Sequence, residues 1–201
     1  DSTRAVELLV SVREGSSENR YPVVRGTALV GLGIDAENRT ELQEALDWYG
    51  QAARPFERAG IGVPVIQTLI LRSRALIGGC RLEEARTVLE EAARRLDSEH
   101  FIRGEMHAAA LFTRLGEMSD ELESNLDRHD SRLPPSLTME IRHHLWHATG
   151  KLQHLADAHR LLLELQRNAP EEYRESMLEN VRLHREIMEA WAERGGKEAD
   201  A

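Results

Sequence analysis

The densest run of chemistry-bearing side chains is Glu140-Ile141-Arg142-His143-His144-Leu145-Trp146-His147, followed by His154 and His159. His143 and His147 stand one helical turn apart, a spacing at which two imidazoles can share a metal ion, and Glu140 to His143 is the Glu-x-x-His spacing that helical di-iron proteins use in pairs. No second Glu-x-x-His and no His-Glu-x-x-His accompanies it, so the expectation is no metal and no cofactor. Ile141 and Leu145 are expected to face a neighbouring helix, which turns His143 and His147 to the opposite side, exposed or along a groove. Cys80 sits beside Gly79 in a turn with no histidine near it in sequence, and no serine lies in a strand-turn-helix elbow, so nucleophilic catalysis has no support. Gly31-Leu32-Gly33 is half a dinucleotide fingerprint without the strand that should precede it, and close helix packing at Gly33 explains it. The pairs Glu83-Glu84, Glu90-Glu91 and Glu171-Glu172 read as solvated helix faces and first-turn charges that suit the helix dipole. None of these groups makes the chain an enzyme.

The elements that position these residues follow from composition and period. The chain has 201 residues, 41% hydrophobic, 4% aromatic and 30% charged, a mixture that suits many thin amphipathic helices better than one thick core. Alternating β-branched runs are nearly absent, so an all-α fold is expected. A formal net charge of −9 opposes the counterion release that drives nucleic-acid binding and disfavours anionic membranes. A single cysteine builds no disulfide framework, and no apolar stretch approaches the ~20 residues a membrane span needs. A cytoplasmic setting is the natural expectation. The chain opens at Asp1, inside a helical pattern over Thr3 to Arg13, so we expect a segment of a larger protein.

Self-similarity organises the rest. The clearest unit runs from Val65 to Asp97: a helical stretch with Leu69 and Leu76, a break at Gly78-Gly79-Cys80-Arg81, then a second helix with Leu82, Ala85, Leu89 and Ala92 on one face. Small residues at Ser73, Ala85 and Ala92 mark where two helices approach closely. An earlier copy carries Leu29 and Gly33, then Leu42, Ala45, Tyr49 and Ala52, with Thr40 and Gln43 in a capping-box pattern. Ala45 and Ala85 correspond, so the period is 40 residues. A third hairpin spans Phe101 to Leu115 and Met118 to His129, with Glu121 where a small residue should be. A fourth spans Ser136 to Gly150 and Leu152 to Asn168, with Leu155, Ala158, Leu162 and Leu165 in step and Ala158 as the small position. Trp146 lands on a site that is normally small. Ala5, Leu9 and Val12 repeat the second-helix pattern, and Pro170 to Glu193 reads as one long last helix.

These spacings resemble the tetratricopeptide repeat, in a long-helix form like that of bacterial signalling and regulatory proteins, transcription regulators among them. The resemblance covers about residues 1–193 and implies a right-handed α-solenoid of antiparallel helix pairs with a C-terminal capping helix. The pairs fall near 21–59, 64–97, 99–130 and 136–168, the flanking helices near 3–14 and 170–193, and a flexible tail at 194–201. It implies a single repeat domain that binds a protein or peptide in a groove lined by the first helix of each pair. The family's groove positions fall on Thr27, Val30 and Ile34, then Gln67, Ile70 and Arg74, then Arg103, Met106 and Ala110, then Glu140, His143 and His147. With Arg114 and Lys151 added, a basic bias suggests an acidic peptide or a terminal carboxylate as ligand, with Ile70 and Met106 in apolar contact. The alternative is a sensor for a small effector or signalling peptide, with Trp146 and the histidines in its wall. Terminal helices with apolar faces can also pair two copies into a homodimer.

Overall fold

The structure, a computed structural model, describes residues 2–16, 21–97, 100–117, 120–129 and 132–198, without the side chains of 2–3, 120–121 and 195–198. Helix is the only extended regular structure among the described residues. The order is α1 (Ser2–Gly15), α2 (Pro22–Asn38), α3 (Leu42–Arg58), α4 (Gly62–Gly78), α5 (Leu82–Leu96), α6 (Ile102–Arg114), α7 (Asp120–His129), α8 (Pro135–Thr149), α9 (Leu152–Asn168), α10 (Arg174–Asn180) and α11 (Arg182–Glu198). A 3-10 turn, Glu171–Tyr173, precedes α10. No described helix is long and apolar enough to cross a membrane.

The chain forms two compact units, Asp1–Ala108 and Ala109–Ala201, with the boundary inside α6. In the first unit each helix packs on the next, from α1 on α2 through to α4 on α5. The 40-residue period is carried by burial: Ala45, Tyr49, Ala52 and Phe56 on α3 recur as Ala85, Leu89, Ala92 and Leu96 on α5, and all eight are buried. Small residues let the helices approach. A Cβ built on Gly33 would stand 2.4 Å from Tyr49 Cε1, so α2 meets α3 with room for hydrogen only. Polar contacts bridge successive copies at a matching separation: Arg74 to Glu37, Arg81 to Gln43 at 3.2 Å and Arg95 to Glu57 at 3.0 Å.

The turns explain why helices stop where they do. Thr40, Gly60 and Cys80 take left-handed backbone at φ of 63°, 70° and 58°, and Gly116 does so at 86°. At each, the left-handed residue and its successor donate their N–H groups back to the helix end, as in Cys80 N to Ile77 O at 3.0 Å and Arg81 N to Leu76 O at 2.9 Å. This is the Schellman closure of a helix C-terminus. It replaces the capping box expected at Thr40: Glu41 is the N-cap residue of α3 and makes no side-chain cap bond, while the Thr40 hydroxyl donates to Arg39 O. A left-handed residue ending α2 comes too early to serve as the N-cap of α3.

In the second unit α8 packs on α9, and α11 packs on α9 and α10. Met139, Ala158, Leu162 and Ile187 form its apolar centre, lined by Leu161, Leu165, Met177 and Met188. Ala158 is buried while Ala156 is not, in keeping with Ala158 as the small position of the fourth copy. The expected single helix over 170–193 is interrupted. Val181 is extended at φ −95° and ψ 116°, separating α10 from α11. His184 Nδ1 lies 2.9 Å from Met177 O and Arg185 donates to Glu179 O at 2.6 Å, so side chains of α11 occupy carbonyls that a continued helix would have used. α11 runs on to Glu198, past the expected end at 193, and 199–201 lie outside the described residues. Met118 also lies outside them, as does the side chain of Glu121.

Candidate functional site

In the first unit, α2 turns one stripe to water. Val23, Thr27 and Ile34 are exposed and Val30 is half-buried, at the i, i+4, i+7, i+11 positions of one helix face. Three of these are the groove positions expected from the repeat pattern. Their opposite face, Leu29, Leu32 and Ala36, is core. The stripe extends about 16 Å at the rise of an α-helix. Val24 and Tyr21 are also exposed nearby in sequence. On α4 the position equivalent to Thr27 is Gln67, likewise exposed.

Ile70 is 2% exposed and belongs to the core, so it offers a ligand no surface. Arg74 has a structural partner: its Nε donates to Glu37 Oε1 at 2.8 Å and its second nitrogen to Glu37 Oε2 at 2.8 Å, a bidentate fork. Tyr49 OH donates to the same carboxylate at 3.0 Å. Burial, followed by the Glu37 charge, pushes the Tyr49 phenol well above its ordinary range. This linked set of α2, α3 and α4 side chains fixes three helices together, and its logic is that of a buried ion pair with its hydrogen bonds met. Met106 is buried at 6% exposure and Arg103 is exposed. Of the predicted groove residues in this unit beyond α2, therefore, Gln67 and Arg103 present themselves to solvent.

In the second unit α8 carries the histidines. Ile141 and Leu145 are fully buried, as expected, but His143 is buried too, at 2% exposure, and only His147 faces water. The helix is covered on two sides, so a polar residue opposite Ile141 need not be exposed. His143 stands edge-on to His147 with ring centroids 4.6 Å apart, and Trp146 lies 4.3 Å from His147 and 5.7 Å from His143. Both ring nitrogens of His143 are buried without a hydrogen-bond partner among the described residues. Burial, reinforced by His144, His147 and Arg114, drives His143 down to about 2; burial and Arg114 bring His147 down to about 4. Both are neutral at pH 7. Arg114, at the end of α6, is half-buried, and desolvation lowers its pKa while Glu186 raises it. Glu140 is buried with His144 Nε2 at 3.6 Å.

A separate polar seam ties α7 to α8 and α9. Arg142 donates to Asp127 at 2.8 Å and sits 3.3 Å from His154 Nδ1, while Glu123 accepts from Lys151 at 2.7 Å and lies 3.3 Å from His154 Nε2. Lys151, expected on the basic groove, is engaged there. His159 stacks on Trp191 at 4.8 Å, joining α9 to α11. Neither Arg74's partner nor the second covered side of α8 shows in hydrophobic periodicity; the 37-residue offset of Glu37 and Arg74, close to the repeat period, is a signal that could have found the first.

No family model matches the chain, and no curated protein or solved structure matches it significantly.

Proposed function

We propose that this chain is a helical-repeat scaffold of the tetratricopeptide kind, its hairpins stacked as a right-handed α-solenoid, and that it holds an amphipathic segment of a partner protein against α2. It acts as a non-catalytic module of a larger bacterial regulatory or signalling protein in the cytoplasm. The observation that carries this reading is the stripe Val23, Thr27, Val30 and Ile34, which presents apolar side chains to water at helical spacing on the helix where the repeat family lays its ligands. The buried 40-residue recurrence from α3 to α5 supports the architecture, since a stack of such units is held by neighbour-to-neighbour contacts. Gln67 continues the surface onto α4, and Arg103 offers the first unit a basic contact for acidic residues of the partner. The acidic net charge argues against nucleic acid as that partner.

Selection from a random peptide library on the immobilised chain tests this. Enriched peptides should carry apolar residues at helical or alternate spacing, shift the amide resonances of α2, and bind at least about tenfold more weakly to a Thr27→Glu, Ile34→Glu variant. Peptides that bind this variant as well as the parent would refute the site.

A further inference from the structure

α1 stands to α2 as α3 stands to α4: it carries the second-helix pattern 40 residues earlier and packs on the helix that follows it. Its inner side is anchored. A Cβ built on Gly31 would stand 2.9 Å from Leu9 Cδ1, Arg25 of α2 donates to Arg13 O at 3.0 Å and to Ser16 O at 3.2 Å, and the Arg13 guanidinium lies 5.3 Å from the centre of the Trp48 ring on α3. The outer side is different. Ala5, Leu9 and Val12 are the equivalents of Ala45, Tyr49 and Ala52, and of Ala85, Leu89 and Ala92. Those six are buried, whereas Ala5 is exposed, Leu9 is half-buried and Val12 is 40% exposed, with Leu8 beside them at 60%. α3 and α5 each hold the preceding helix, α2 and α4, with Tyr49 seated on Gly33. On α1 the same face is open to water.

The two helices that fill this place elsewhere show what its occupant must carry. Opposite Phe56 stands Gly26, whose Cβ would come within 2.7 Å of the ring; 40 residues on, the equivalent residues are Leu96 and Ile66, both buried. Tyr49 meets Gly33 and donates its hydroxyl to Glu37; the equivalents are Leu89, Ser73 and Ile77, all buried. A smaller residue on the second helix is thus matched by a larger one on the first, and loss of the phenol by loss of the carboxylate. α1 has Leu9 and Ser16 at these positions. A carboxylate brought against Leu9 would be buried without its donor.

We propose that the face of α1 formed by Ala5, Leu8, Leu9 and Val12 docks one amphipathic helix of a partner protein, with the chemistry of α4 and not of α2. That helix carries apolar residues at the places of Ile66 and Ile77 and a small residue at the place of Ser73, and it lies on α1 as α4 lies on α5. It continues an interface that the fold already builds twice, and it covers apolar surface that water otherwise meets. The face rests on the buried recurrence and not on the α2 stripe, so either surface can fail without the other.

The test is titration of the full chain with an acetylated and amidated peptide of the sequence of residues 62–78, followed by the amide resonances of α1. Saturable shifts centred on Ala5 to Val12 are expected. Val12→Glu, at an exposed position that leaves the fold intact, should weaken binding about tenfold or more, as loss of a central apolar contact does. Ile77→Glu made in the peptide should weaken it by at least as much. The Thr27→Glu, Ile34→Glu variant of the chain should bind the peptide as the parent does. Absence of a saturable shift in α1, unchanged affinity with either Val12→Glu in the chain or Ile77→Glu in the peptide, or shifts centred on α5, where the peptide would displace α4, would each overturn the proposal. So would a dimer of the chain alone, seen by light scattering and dissolved by Val12→Glu, which would assign the face to a second copy.

Discussion

Replacing Arg74 by methionine separates a structural role for this residue from a ligand-binding one. The Glu37 carboxylate is buried and accepts two bonds from Arg74, both at 2.8 Å, plus one from Tyr49 at 3.0 Å. Methionine keeps much of the arginine stem but removes both charged donors, so the buried carboxylate loses its bidentate partner while keeping the Tyr49 phenol. Breaking a buried pair from one side costs about 3–5 kcal/mol. The Arg74 side chain is 23% exposed, so water reaches part of the site, and the lower end, about 3 kcal/mol, is the expected loss. For a chain of this size that corresponds to a fall in Tm of roughly 6–12 °C. Urea unfolding followed by far-UV circular dichroism measures it. The double variant Glu37→Leu, Arg74→Met removes the stranded charge along with its partner and should recover most of the loss. An Arg74→Met protein within about 0.5 kcal/mol of the parent would refute the reasoning, because surface arginines away from such networks fall in that range.

Three further outcomes follow from the same geometry. Gly33→Ala should destabilise the first unit by about 1–3 kcal/mol in chemical denaturation, since its Cβ would meet the Tyr49 ring at 2.4 Å in a packed core. Cys80→Gly should raise stability by about 0.5–1 kcal/mol, relief of left-handed strain at φ 58° exceeding the added freedom of the unfolded chain. Acidification should destabilise the second unit: His143 is held neutral down to about 2, whereas unfolded histidine protonates near 6.5, so between these values the unfolded state binds the extra proton and stability falls with pH. The loss from His143 should reach about 2 kcal/mol by pH 5, and a His143→Leu variant should show a correspondingly flatter pH profile between 6.5 and 5.

Much of the fold was legible because its signals are local. Gly60, Gly116 and Gly150 end helices through left-handed backbone, and each falls at a predicted turn. The buried residues of α3 and α5 repeat at a fixed offset that sequence comparison within the chain detects. The break at Val181 was not legible, since neither glycine nor proline marks it and its carbonyls are met by His184 and Arg185 from the next helix. The candidate sites were half legible. Thr27, Val30 and Ile34 were expected to line a groove and do reach the surface, whereas Ile70 and Met106, expected beside them, are buried by neighbours that periodicity cannot see. Arg74 was expected on the basic side of the groove, but its partner Glu37 lies on α2, 37 residues away. His143 looked exposed because one buried face was assigned to α8, where two are covered.

The measurement that bears most directly on the central claim is site-directed photocrosslinking of a library-selected peptide to the chain. A photoreactive residue is placed in turn at 27, 34 and 67, and for comparison at 83, 87 and 90 on the exposed side of α5. The account predicts crosslinks from the α2 and α4 positions and none from α5. Equal yields from both sets, or crosslinks confined to α5, would contradict it.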